Sequence, residues 1–199
     1  MSRLLLATRN AKKLVELRRI VHPLLPDLQV IGLADVQGYA EAPETGATFE
    51  DNALLKAREA VRHTGLPAVG DDSGLVVDAL NGMPGIFSAR WSGRHGDDQA
   101  NVDLLLDQLA DVPDERLAAA FVCAAAYVTP DGREDVVRGE MRGRLVREPK
   151  GDNGFGYDPI FVPDGCDVTS AELSAAAKDA ISHRGVAFRA LVESIAEGT

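Results

Sequence analysis

The chain has 199 residues, 45% of them hydrophobic and 26% charged, a composition that fits one soluble globular domain spanning residues 1–199 and excludes a disordered or repetitive chain. Its formal charge of -10 argues against a nucleic-acid polymer as partner, because such binding needs many Lys and Arg against phosphates; small anions need only a local cationic pocket. The two cysteines, Cys123 and Cys166, are too few to staple a secreted scaffold, and no apolar run approaches the ~18 residues of a membrane span, so a cytoplasmic location is expected.

In chain order, residues 3–7 read as a short buried strand, and Leu14, Leu17, Ile20 and Val21 repeat at helical spacing until Pro23. Residues 29–33 suggest a second strand, followed by a helix-poor stretch with the acidic loop Glu41-Ala42-Pro43-Glu44. Thr48 with Asp51 three residues on marks a helix start, and Phe49, Ala53, Leu54, Ala57 and Val61 give that helix one apolar face up to Gly65. Residues 67–70 and 75–80 read as two apolar runs with Asp71-Asp72-Ser73-Gly74 at their junction. A helix is expected over 98–109 and a strand over 117–128, with 135–145 pairing back after the turn Thr129-Pro130-Asp131-Gly132. After the Gly-rich loop 150–158 come a short run at 159–162, a capping-box-like Thr169-Ser170-Ala171-Glu172 and a final helix from about residue 185 to 197. Strands interleaved with helices predict an α/β fold with a mixed sheet.

Four constellations carry chemistry. Thr8-Arg9-Asn10-Ala11-Lys12-Lys13 lies where a buried strand hands over to a helix, whose first N–H groups and dipole favour a phosphate; the Walker glycines are missing. Asp71 and Asp72 are adjacent carboxylates, a repulsion best tolerated beside a hard cation such as Mg²⁺. In the loop around Phe155, Gly156, Tyr157 and Asp158, glycines let backbone approach a flat ligand and an aromatic ring offers a stacking face. Lys178, Ser182, His183 and Arg184 concentrate donors before the last helix, and a donor fork such as Arg184 prefers the carbonyl of a 6-oxopurine to the amino group of adenine. Taken singly, each has an ordinary reading as a solvated helix start, an Asp-rich turn or, for the Phe155 loop, a long turn with core-facing aromatics.

Together and in this order, the residues resemble the inosine triphosphate pyrophosphatase family, also called the XTP/dITP diphosphatases. The matching motifs are T-x-N-x-x-K at Thr8, Asn10 and Lys13; E-T-G-x-T-F-x-x-N-A-x-x-K-A from Glu44 to Ala57; D-D-S-G-L from Asp71, followed by G-x-P-G-I-x-S-A-R from Gly82; and G-F-G-Y-D-P-I-F with the distant I-S-H-R-G. Arg9 stands where many relatives have Gly, Asp51 where Glu is common, and Asp179 where Asn is common.

The resemblance implies a two-lobed fold around a central mixed β-sheet with flanking helices, usually a homodimer, with the substrate in the cleft between the lobes. It implies hydrolysis of XTP, ITP and dITP to the monophosphate and pyrophosphate, with Asp72 as general base and Glu44 and Asp72 binding Mg²⁺. Thr8, Arg9, Asn10, Ala11, Lys12, Lys13 and Lys56 would hold the triphosphate, Ser73 would lie beside the attacked phosphate, and Phe155, Gly156, Tyr157, Asp158, Lys178, His183 and Arg184 would embrace the base. Two alternatives stay open: a Maf-like pyrophosphatase for other modified nucleotides, and a nucleotide-sensing module without turnover. GTP carries the same 6-oxo group as ITP, so its rejection has another source than Arg184.

Overall fold

The computed structural model of the chain describes residues 3–39 and 43–197, so Glu41 and Ala42 of the expected acidic loop lie outside the described residues. Six strands form one sheet in the order β2-β1-β3-β4-β5-β6, with β1 (Arg3–Leu6), β2 (Gln29–Gly32), β3 (Ala68–Val77), β4 (Ala118–Val128), β5 (Glu134–Leu145) and β6 (Phe161–Pro163). The sheet is mixed as expected: β1 runs parallel to both β2 and β3, whereas β5 and β6 are antiparallel. The helices are α1 (Ala11–Val21), α2 (Phe49–Thr64), α3 (Asp98–Gln108), α4 (Ala175–Ile181) and α5 (His183–Glu197).

The chain divides into two compact units, the first made of residues 1–72, 123–139 and 184–199 and the second of residues 73–122 and 140–183. In the first unit, the two-residue period of a strand sorts β1 between two cores. Leu4 and Leu6 join Leu17, Ile20 and Val21 of α1 and Phe188, Leu191 and Ile195 of α5. Leu5 and Ala7 face the other way, with Ile31, Ala68 and Ala60 of α2. The small residues Ala53, Ala57 and Ala60 are fully buried on α2. They let α2 lie close on β3, so close that a Cβ at Gly70 would stand 2.2 Å from the Ala53 carbonyl oxygen. The α2 start is fixed as the sequence suggests: Thr48 Oγ1 accepts from the Asp51 N–H, Asp51 returns the bond to Thr48, and Gly65 closes the helix in the left-handed conformation.

In the second unit, Leu75 and Val77 of β3, Val102 and Leu105 of α3, and Phe121, Met141 and Phe161 build a separate core. Helix α3 is capped by Asp97, whose carboxylate accepts the Ala100 N–H.

Three expectations are corrected. The runs at 67–70 and 75–80 are largely one strand: β3 passes straight through Asp71-Asp72-Ser73-Gly74, which therefore lies mid-strand and not at a junction. Thr169-Ser170-Ala171-Glu172 does not open a helix; Glu172 accepts the Thr169 N–H across a turn, and the helix that follows, α4, is capped by Ser174. The final helix begins at His183, separated from α4 by Ser182 in an extended conformation (φ -64°, ψ 147°).

Candidate active site

Because Asp71 and Asp72 are consecutive on a strand, their side chains leave opposite faces of the sheet. Both are buried, at 1% and 6% exposure, so each needs its own compensation. Each carboxylate has its own side-chain hydrogen-bond and ion-pair partners.

Asp71 meets the α1 and α5 side. Its Oδ2 accepts from Lys13 Nζ at 2.7 Å and lies 3.5 Å from Arg184 Nε. Arg184, 2% exposed, also pairs through Nη1 with Glu16, a buried acid one turn after Lys13 on α1. Glu16, Arg184, Asp71 and Lys13 thus alternate in sign along a chain that is buried up to the half-buried Lys13. Burial alone would raise the Asp71 carboxyl, but the charges of Lys13, Arg184 and Lys56 outweigh it and hold it down to about 2.

Asp72 meets the α2 side. Its Oδ2 accepts from Asn52 Nδ2 at 2.9 Å, and its Oδ1 lies 3.4 Å from Lys56 Nζ. The Lys56 ammonium is also 2.5 Å from Glu44 Oε1 and donates to the Asp71 carbonyl at 3.1 Å. Burial, aided by the Glu44 charge, raises the Asp72 carboxyl against the pull of Lys56 and Asn52. Lys56 itself is raised: burial opposes its charge, but Asp72, Asp71 and Glu44 prevail.

At the start of α1, Asn10 is the cap, its Oδ1 accepting the N–H groups of Lys12 and Lys13 at 3.0 and 3.3 Å, while Thr8 Oγ1 accepts the Asn10 N–H. Two of the N–H groups expected to face a phosphate are therefore already engaged. Thr8, Arg9, Asn10 and Ala11 line a cavity of about 380 Å³ that also borders Leu14 and Tyr39. Arg9 donates to the Tyr39 carbonyl at 3.2 Å, and Lys12 is exposed.

In the second unit, the loop before β6 is cross-linked by polar groups. Asp158 Oδ2 accepts from the Phe155 N–H at 2.8 Å and from Lys178 Nζ at 2.5 Å, and the ammonium stands 5.5 Å from the centre of the half-buried Phe155 ring. Asp98 of α3 accepts the Gly156 N–H at 2.9 Å. Tyr157 is packed in the core with its hydroxyl donating to the Ser88 carbonyl, which leaves Phe155 as the accessible ring of the pair. His183 is buried and stacked on Phe121 with ring centres 5.0 Å apart, and Ser73 is half-buried on β3.

The sequence motifs thus assemble into two clusters, with Arg184 in the first and its neighbour His183 in the second. Sequence reasoning gave no role to Glu16, Asn52 or Asp98, and treated Asp71 only as half of an acidic pair. The signal for Glu16 was available: it shares a helical face with Leu17 and Ile20, where an acid needs a buried partner.

Glu44 and Asp72 present hard oxygens with one ammonium seated beside both. Such a pair suits a divalent cation that takes its remaining ligands from substrate phosphate and water. Among the described residues, no group of three or more His, Cys, Asp or Glu side chains is arranged to hold a metal alone. Burial pushes the Cys123 thiol up to about 12, which removes it as a nucleophile. No helix among the described residues is long and apolar enough to cross a membrane.

Comparisons with known proteins place the chain as a whole in a family. The family model described as the Ham1 family matches residues 4–194. The chain is 64% identical over 197 residues to a protein of Nocardia farcinica named dITP/XTP pyrophosphatase, covering 98% of this chain and 96% of that one. A Mycobacterium tuberculosis protein of the same name is 60% identical over 195 residues, covering 98% and 95%. Among solved structures, the nucleoside-triphosphatase (dITP/XTP pyrophosphatase) of Mycobacterium abscessus is 62% identical with a TM-score of 0.79, covering 95% of this chain and 98% of that one. A HAM1 protein of Coxiella burnetii, 38% identical, superposes with a TM-score of 0.89 over 99% of this chain and 100% of its own. With motifs, fold and nearly full-length matches in agreement, the chain belongs to the Ham1 family.

Proposed function

We propose that the chain hydrolyses deaminated purine nucleoside triphosphates, XTP, ITP and dITP, to the monophosphate and pyrophosphate, and so cleans the nucleotide pool. The observation that carries this reading is Asp72: a buried carboxylate with raised proton affinity, oriented by an amide and flanked by Lys56 and Glu44. Raised affinity suits a general base, which must hold the proton it takes from water.

In this reading Asp72 orients and deprotonates the attacking water. Glu44 and Asp72 would hold Mg²⁺, which would supply charge neutralisation for the phosphate oxygens. Lys56 and Lys13 stabilise the pyrophosphate leaving group, and Thr8, Arg9, Asn10, Ala11 and Lys12 border the phosphate region, with Ser73 next to the base on β3. Phe155 supplies the stacking face, while Lys178, Asp158 and His183 supply polar contacts to the purine. In this reading Arg184 acts from the Asp71 side, with Nη1 paired with Glu16 and Nε 3.5 Å from Asp71. The enzyme works in the cytoplasm as a homodimer.

The test is pyrophosphate release from ITP, XTP and GTP with and without Mg²⁺. The reading expects Mg²⁺-dependent pyrophosphate from ITP and XTP, with GTP much slower. Release of inorganic phosphate, or turnover of GTP equal to that of ITP, would contradict it.

A further inference from the structure

Asn52 is fully buried on α2, and both ends of its side-chain amide are engaged. Its Nδ2 donates to Asp72 Oδ2 at 2.9 Å, and its Oδ1 accepts the Gly46 N–H at 2.8 Å. Gly46 lies two residues after Glu44, so one side chain joins the strand that carries Asp72 to the loop that carries Glu44. We propose that Asn52 is a positioning residue that sets these two carboxylates against each other, an inference that rests on reading Asp72 as the base and Glu44 with Asp72 as the cation site.

The chemistry of the amide fits the task. A buried junction that must donate at one end and accept at the other, over this short span, calls for a carboxamide. An acid in its place would set one carboxylate against another. An apolar side chain would leave the Gly46 N–H and an Asp72 oxygen without these partners, and a buried group left unpaired costs more than an average hydrogen bond gains.

The elements that meet at Asn52 are each held in place. The reciprocal Thr48 and Asp51 bonds fix the first turn of α2, and Asn52 follows directly. The loop lies on that turn without slack: a Cβ at Gly46 would stand 2.6 Å from Asp51 Cβ and 2.7 Å from Asn52 Oδ1. Lys56, one turn further on α2, reaches the same two carboxylates through charge. Asn52 is neutral, so its hold on Asp72 does not depend on how the charges of Glu44, Asp72 and Lys56 rebalance when substrate and cation arrive. With Oδ2 fixed by the amide, Asp72 keeps Oδ1 on the side of Lys56.

The experiment compares wild type, Asn52→Ala, Asn52→Asp and Asp72→Asn by three readouts: Mn²⁺ affinity without substrate by calorimetry, kcat and KM for ITP at saturating Mg²⁺, and thermal unfolding. Removal of groups that orient metal ligands typically costs ~10–100-fold in metal affinity or activity. Asn52→Ala is therefore expected to weaken Mn²⁺ binding and to lower kcat by about that factor, with KM for ITP little changed. A merely structural amide would lower the unfolding temperature and leave kcat and Mn²⁺ affinity of the folded protein at wild-type values, which overturns the proposal. Should Asn52→Ala not fold, Asn52→Asp keeps the acceptor for Gly46 and replaces the donor toward Asp72 with a second carboxylate oxygen; a fall in kcat with KM for ITP little changed supports the proposal and an unchanged kcat overturns it. Asp72→Asn separates the two levels: if it is inactive while both Asn52 variants behave as wild type, only the role of Asn52 fails. If Asp72→Asn retains turnover, the assignment of the base fails as well.

Discussion

The two faces of β3 at its acidic centre carry the same residue type in consecutive positions and treat it in opposite ways. On the α1 and α5 side, Asp71 is enclosed between Lys13 and Arg184 and is held ionised, with its carboxyl down at about 2. On the α2 side, burial and the charge of Glu44 raise Asp72 despite Lys56 and Asn52. Paired acids whose surroundings push their proton affinities apart are a recurrent way to separate a fixed anion from a working base. In the proposed reading Asp71 anchors cations, and Asp72 exchanges a proton.

The largest effect that sharpens this contrast is expected at Asp72. General-base help is typically worth ~10²–10⁴-fold, so Asp72→Asn should lose about that much kcat on ITP while remaining folded, as circular dichroism and steady-state kinetics at saturating Mg²⁺ would report.

Next is Arg184. Breaking a buried ion pair from one side typically costs ~3–5 kcal/mol, so Arg184→Ala should lower folding stability by about that amount in urea titrations. Because Nη1 pairs with Glu16 and Nε lies 3.5 Å from Asp71, turnover of ITP and ATP should fall together. A selective loss for 6-oxopurines would return Arg184 to the base-reading group.

Lys13→Ala and Lys56→Ala each remove a charged partner, a loss of ~1.5–3 kcal/mol per contact. Both should depress kcat/KM for ITP and spare binding of inosine; unchanged kcat/KM would move the phosphate site elsewhere. The smallest effect belongs to the second cluster. Base stacking on an aromatic ring is worth ~1–3 kcal/mol, so Phe155→Ala should raise KM for ITP within that range, measured beside Tyr157→Phe, whose ring stays in the core.

Much of the contrast was legible in the sequence, and the missing part has a physical cause. Local signals worked where the structure is local: the Thr48 and Asp51 cap, the turn after β4 and the strand that follows that turn all appear where the residues place them. The continuity of β3 was hidden because two acids interrupt an apolar pattern. Their compensation comes from Lys13, Lys56 and Arg184, distant in sequence, and no periodicity reports such partners. Helix α4 is seven residues long and starts with three alanines, too short and uniform to show an amphipathic face. Arg184 was assigned from its donor chemistry, which is correct for a carbonyl and equally correct for the buried carboxylates it meets. Asn52 stood in a quoted motif without a role, because an amide's value depends on what lies at both of its ends.

The measurement that bears most directly on the central claim is kcat for ITP at saturating Mg²⁺ in Asp71→Asn beside Asp72→Asn, each corrected for its folded fraction. The account predicts that Asp71→Asn destabilises the fold yet keeps most of the turnover of its folded molecules, whereas Asp72→Asn stays folded and is nearly inactive. An Asp72→Asn enzyme that turns over as wild type, or an Asp71→Asn enzyme that is fully folded and inactive, would contradict it.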